Sequence, residues 1–271
     1  MKKDYIPVSQ DLSSADEVAF LEKYWTQLLG KGSFEDFARS SVERRDEFKV
    51  ASKYITNLLP HSRILDAGCG AGEWVIYFAL SKFEAIGLDL SKKIVEGLAQ
   101  RFPEHSNRFL VGDIRNTKFE DNYFDALFSW GVFEHFENGL GACFREANRI
   151  IKKGGYLFVS VPFQNYRHMY KDMHHLWRWD KDFDRERGYA GKMRFYQYRL
   201  TKPELEREFE IHGFKTLGVY AINKWHGLAR FVKDLGITPR LKLNKITKFI
   251  LYPFVPRKFI AHSILGIGIK R

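Results

Sequence analysis

The sequence predicts an α/β protein built around a doubly wound parallel sheet. Three observations carry this expectation. Between residues 63 and 161, short β-rich runs alternate with helical stretches, and strands that alternate with helices pair in parallel with helices on both faces. A glycine-rich turn joins the first of these strands to the first helix. Finally, 271 residues that are 45% hydrophobic and 16% aromatic suffice for one large core with insertions, and exclude a disordered or low-complexity chain.

The elements follow in order. Residues 1–60 read as a helical lid: Ser14 and Glu17 form a capping box before Val18, Leu21, Trp25, Leu28 and Leu29. Glycines at 30 and 32 break that helix, and a second runs through Phe48, Tyr54, Ile55 and Leu58 to Pro60. Strands are predicted at 63–67, 84–88, 108–111, 124–129 and 156–161, with helices near 72–81, 92–102 and 139–151. The turn Lys152-Lys-Gly-Gly155 stops the last helix before its strand. The alternation then gives way to an insertion at 163–200, dense in aromatics, Arg, Asp and His. A helix restarts at the capping box Thr201–Glu204, and strands are predicted at 214–222 and 262–269. Between these two strands lies a second insertion, 223–260, basic and amphipathic, with Trp225, Leu228, Val232 and Leu235 on one helical face.

The formal net charge is +11, and its distribution is uneven. Residues 1–162 carry 21 Lys and Arg against 23 Asp and Glu, whereas residues 211–271 carry 12 against 1. Such a stretch attracts nucleic acid, an anionic lipid surface or a phosphorylated substrate, or serves only as a solvated surface. The first ten residues lack the apolar run of a secretory leader, and no apolar run approaches the ~18 residues of a membrane span. Cys69 and Cys143 suit a reducing compartment. A cytoplasmic protein is expected.

Chemistry concentrates in Ile64-Leu-Asp-Ala-Gly-Cys-Gly-Ala-Gly72. Glycines 68, 70 and 72 follow a strand and open a helix, so a ligand can approach backbone at a helix N-terminus. Glu73 stands where a dinucleotide-binding loop has its last glycine, and the Gly-Lys-Ser/Thr of a phosphate-binding loop is absent. Asp89, 23 residues after Asp66 at the end of the next strand, can accept hydrogen bonds from two ribose hydroxyls.

On these residues the chain resembles the class I S-adenosylmethionine-dependent methyltransferases, of the small-molecule type 11/12 kind. Gly87-Leu-Asp-Leu-Ser91 is similar to the family's second motif, Val111-Gly-Asp-Ile114 to its adenine-side motif, and the stretches 124–131 and 152–159 to its fourth strand and the lead into its fifth. The resemblance implies a Rossmann-like seven-stranded sheet of order 3-2-1-4-5-7-6 with strand 7 antiparallel. It also implies S-adenosylmethionine as cofactor, S-adenosylhomocysteine as product, and a donor site of Asp66, Gly68, Cys69, Gly70, Gly72, Asp89, Leu90, Asp113, Ile114, Ser129 and Trp130. Asp113 would accept the exocyclic amine and Ile114 would pack the ring.

The acceptor side is located rather than read. A base is needed only for hydroxyl-like acceptors. His135, after the fourth strand, is one candidate, or else the Glu134-His135 pair merely orders the loop. His174 and His175, in the first insertion near His168, are others, or else they pack within an aromatic lid. The spacing of these histidines matches no metal site, so no metal is expected. The favoured function is methyl transfer to a small-molecule acceptor, at oxygen, on a sugar or lipid-linked substrate, with residues 223–260 meeting an anionic membrane peripherally. The alternatives are an RNA methyltransferase using the same basic segment and a non-catalytic donor-binding protein. Against nucleic acid, the loop after the fourth strand, Ser129-Trp-Gly-Val, lacks the Asn/Asp-Pro-Pro-aromatic tetrapeptide of base-directed members.

Overall fold

A computed structural model of the chain describes residues 1–7, 33–177, 193–234 and 248–271. The predicted helix at Ser14–Glu17 and beyond, with Trp25, lies outside the described residues, as do Leu235 and the lysines at 242 and 245.

In chain order the elements are β1 (Lys2–Pro7), α1 (Phe34–Arg44), α2 (Asp46–Ile55), β2 (Arg63–Ala67), α3 (Glu73–Leu80), β3 (Glu84–Asp89), α4 (Lys92–Arg101), β4 (Phe109–Val111), β5 (Phe124–Trp130), α5 (Gly141–Ile150), β6 (Ile151–Pro162), α6 (Tyr166–Met173), β7 (Met193–Arg199), α7 (Lys202–Ile211), β8 (Phe214–Ile222), α8 (Lys224–Asp234), α9 (Arg257–Ile260) and β9 (Ser263–Lys270). Seven strands form one sheet in the order β4-β3-β2-β5-β6-β9-β8. Numbered within the sheet, that is 3-2-1-4-5-7-6, and β9 runs antiparallel to both β6 and β8 while the other neighbours are parallel. The predicted order and the antiparallel seventh strand are both present.

Alternation along the strands divides the core. Ile64, Phe128 and Phe158 point to one face and join α1 to α4 through Phe37, Val42, Ala51, Trp74, Phe78 and Leu98. Their neighbours Leu65, Leu127 and Leu157 point to the other, packing on Phe144 and Ala147 of α5 and Leu205 and Phe209 of α7. With both faces covered, the central strands read as continuous apolar runs.

The N-terminal segment differs from the predicted all-helical lid. Helices α1 and α2 belong to the main core, and Tyr54 reaches across the sheet to share a 2.9 Å hydroxyl contact with Tyr220. Residues 2–7 form a strand paired antiparallel with β7. Its anchor is Asp4, which accepts from Arg199 Nε at 2.6 Å. Arg199 is 1% exposed, and Gln164, Asp172 and the face of Trp177 complete its surroundings. The first insertion is therefore stapled to the chain's beginning.

In the second insertion, Leu228 and Val232 face inward as the helical period predicts, onto Ile260, Leu251 and Phe259. Trp225, on the same predicted face, stays 45% exposed. Among the described residues no helix is long and apolar enough to cross a membrane.

Candidate active site

The site is built at the carboxyl edge of β2, β3 and β5, where the strand order reverses and a crevice opens. The loop after β2 is held to β3: the N–H groups of Gly68 and Cys69 donate to the carbonyl of Leu88 at 2.7 and 3.1 Å. Gly68 has φ +84°, and a Cβ there would stand 2.3 Å from Val132 Cγ2, so only glycine fits beneath the β5 loop. Gly70, at φ +49°, has no atom within 4 Å of where its Cβ would be, which leaves its backbone open to a ligand. Gly72 is the N-cap of α3, and Cys69 packs in the core.

Asp89 closes the loop from the β3 side. Its Oδ2 accepts from the Gly70 N–H at 3.1 Å and its Oδ1 from Ser91 N–H at 2.9 Å. The half-buried carboxylate is thus aimed before any ligand arrives. Leu90 beside it is 63% exposed, a bare apolar surface next to an oriented acid. On the far wall Ile114 is buried, and both oxygens of Asp113 are engaged by Arg115, whose guanidinium also lies over the Phe136 ring at 4.3 Å. This ion pair holds the Asp113 carboxyl below its usual range; an amine ligand would share the carboxylate with Arg115.

Unsatisfied polar atoms mark the same edge. Among the described residues, seven buried side-chain atoms have no hydrogen-bond partner, and six of them gather here: both oxygens of Asp66, Nε1 of Trp74 and of Trp130, Oγ of Ser129 and Oε2 of Glu134. Buried polar groups are almost always paired, so six orphans on the ends of β2 and β5 and on the helix and turn that follow them point to a ligand. Burial pushes Asp66 well above the usual carboxylate range, helped by neighbouring Glu73, which is itself ion-paired to Arg45. Burial likewise pushes Glu134 up to about 8, so it is protonated at neutral pH and able to donate. The Trp74 and Trp130 rings meet at a tilt of 30°, with centroids 4.6 Å apart. The sequence offered no signal for Trp74 or for the Arg45–Glu73 pair beyond the acid at the third-glycine position.

The candidate bases separate. His135, in the 3₁₀ turn Phe133–His135, places Nδ1 2.8 Å from the Tyr196 carbonyl on β7. The carbonyl can only accept, so Nδ1 carries the proton and Nε2 keeps its lone pair. Surrounding protein lowers the ring's pKa, which leaves it neutral. His174 and His175 lie at the end of α6, both exposed, His174 against the Tyr170 ring at 4.4 Å and His175 at φ 50°. No described contact brings either to His135. Buried His168 has both nitrogens engaged, by the Phe163 carbonyl and by Arg167. One set among the described residues, Glu35, Glu104 and His105, groups its ligand atoms within 4.8 Å; it sits at the start of α1 and after α4, and His105 bonds Glu35 at 3.2 Å.

Residues 65–159 match the model of the methyltransferase domain family, the span that holds the glycine loop, Asp89, Asp113 and His135. The chain carries a class I S-adenosylmethionine-dependent methyltransferase domain. Across 127 residues it is 31% identical to the demethylmenaquinone methyltransferase of Staphylococcus saprophyticus, covering 45% of this chain and 53% of that enzyme. Across 155 residues it is 27% identical to the tRNA (carboxymethyluridine(34)-5-O)-methyltransferase of Arabidopsis thaliana, covering 56% of this chain and 36% of that one. The match thus spans about half or less of these relatives. Among solved structures, an S-adenosylmethionine-dependent methyltransferase from Archaeoglobus fulgidus superposes with a TM-score of 0.56 over 93% of this chain and all of its own, at 14% identity, a likeness of fold.

S-adenosylmethionine is the cofactor of such a domain, and the edge described above fits it. The open Gly70 backbone and the unpartnered Asp66 and Ser129 suit the polar amino-acid portion. The oriented Asp89 suits a ribose diol, and Leu90 with Ile114 suits a flat ring.

Proposed function

We propose that the chain transfers the methyl group of S-adenosylmethionine to an oxygen of a small-molecule acceptor, with His135 receiving the proton. The observation that carries this reading is the 2.8 Å bond from His135 Nδ1 to the Tyr196 carbonyl. It fixes the tautomer whose free Nε2 can act as a base, and it ties that base to β7 of the acceptor-side insertion. A sulfonium supplies an activated methyl, so the protein's work is alignment, exclusion of water and an unprotonated nucleophile. Asp66, Gly68, Cys69, Gly70, Gly72, Asp89, Leu90, Asp113, Ile114, Ser129 and Trp130 hold and orient the donor; protonated Glu134 donates from beneath, and the paired indoles exclude water. His174 and His175 lie exposed at the end of α6.

Exposed Phe249, Ile250 and Phe254, beside Lys248, Arg257 and Lys258, support peripheral contact with an anionic membrane and hence a lipid-linked acceptor. The test is incubation with methyl-labelled donor and an extract of the source cells, followed by partition into lipid, RNA and soluble small-molecule fractions. Label in the lipid or small-molecule fraction is expected. Label in RNA would overturn the reading and make the basic residues phosphate contacts.

A further inference from the structure

Helix α8 places His226, Arg230 and Asp234 four residues apart, on one stripe of the helix. Both ends of the stripe have fixed neighbours. His226 stacks on His262, the residue preceding β9, with centroids 4.7 Å apart and planes 14° from parallel. Asp234 accepts from Arg167 Nε at 2.6 Å and from Lys171 Nζ at 3.4 Å, both on α6. Arg230 lies between these contacts, and among the described residues its guanidinium has neither a hydrogen bond nor a bonded carboxylate.

Among the described residues the acids nearby are already engaged. Asp234 serves Arg167 and Lys171, and Asp4 and Asp172 serve Arg199. Among the described residues Arg167, Lys171, Arg199 and Arg230 therefore face three carboxylates, and Arg230 is the one of these four cations with no bonded acid. Beside it the Nδ1 of His262 is buried with no partner, among the described residues the one orphan atom not at the donor edge. Burial and the Arg230 charge hold His262 down to about 3, hence neutral. An anion placed between them would pair the Arg230 charge and give the His262 ring a partner. The cluster also lies at the same edge of the sheet as the donor site, because β6 and β8 end and β9 begins there.

We propose that Arg230 and His262, flanked by His226 and Arg167, form a subsite for a phosphoryl group carried by the methyl acceptor. The donors come from Arg230 on α8 and from His262 before β9, while the Arg167 charge on α6, itself bonded to Asp234 and His168, adds to the positive field; a guanidinium suits a tetrahedral anion's several oxygens. Calling the anion part of the acceptor rests on the methyl-transfer reading; the anion site itself does not.

The test is calorimetric titration of the full chain with inorganic phosphate, and separately with S-adenosylmethionine. Wild type is expected to take phosphate saturably. Arg230→Gln, a change at an exposed helix position, is expected to weaken phosphate about tenfold or more, and Arg230→Lys by less, with S-adenosylmethionine affinity unchanged in both. Octyl phosphate binding more tightly than inorganic phosphate would assign the phosphoryl group to a lipid, and equal binding to a water-soluble ester. No saturable phosphate binding, or the same affinity in Arg230→Gln, overturns the proposal while leaving the donor site standing. Phosphate binding without S-adenosylmethionine binding would support the anion site and overturn the donor site.

Discussion

His135 Nδ1 lies 2.8 Å from the carbonyl oxygen of Tyr196, 61 residues further along the chain. The bond joins the turn after β5, at the donor edge, to β7 of the acceptor-side insertion, and the His135 and Tyr196 rings meet edge-on at 5.1 Å. One side chain thereby registers both halves of the site and holds its own tautomer. Replacing His135 with Ala should lower turnover by about 10²–10⁴, the usual contribution of a positioned base, with donor affinity unchanged. Steady-state rates and calorimetry on the same preparation check this; unchanged turnover would remove His135 as the base.

Glu134 makes stability depend on pH in a defined direction. Its carboxyl titrates at about 8 in the folded chain, against an ordinary value of 4.5, because it is buried. Below 4.5 both folded and unfolded chains hold this proton, and it makes no difference. Between 4.5 and 8 the unfolded chain releases the proton while the folded chain keeps it, so this group's contribution destabilises progressively as pH rises, and above 8 it levels off. Glu134→Gln should flatten that part of the decline. Melting temperatures of both proteins from pH 5 to pH 8 give the comparison, and parallel curves would contradict the assignment.

The first strand should matter to stability out of proportion to its six residues. Asp4 bonds Arg199 at 2.6 Å and Gln197 at 3.1 Å, and Arg199 is 1% exposed. Removing one partner of a buried pair costs about 3–5 kcal/mol. With Asp172 still bonded to Arg199, Asp4→Ala should fall near the lower end, about 3 kcal/mol, by denaturant unfolding. Asp4→Asn, which keeps an acceptor oxygen, should cost less.

Most of the sheet was legible because its signals are local. Ile64-Leu65 and Phe128 with Leu127 are continuous apolar pairs, the mark of strands covered on both faces, and the glycine loop and Asp89 sit at fixed distances along one segment. The Thr201–Glu204 capping box forms as read. What escaped depends on distance along the chain. Lys2–Pro7 has no alternating apolar pattern, and its partner begins at Met193. Arg199 looks like a surface arginine until Asp4 and Asp172 are brought to it from elsewhere. Glu134 was visible beside His135, but its burial arises only when the turn packs into the fold, which no spacing reveals.

The measurement nearest the central claim is calorimetric titration of the full chain with S-adenosylmethionine, in wild type and in Asp89→Ala. Asp89 is oriented by the Gly70 and Ser91 N–H groups with its carboxylate toward the crevice, and hydrogen bonds to a charged group contribute about 1.5–3 kcal/mol each. Saturable binding to wild type, weakened about tenfold or more in Asp89→Ala at a temperature where both proteins are folded, is the expected result. Equal affinity in the two proteins, or none in wild type, would contradict the donor site described here.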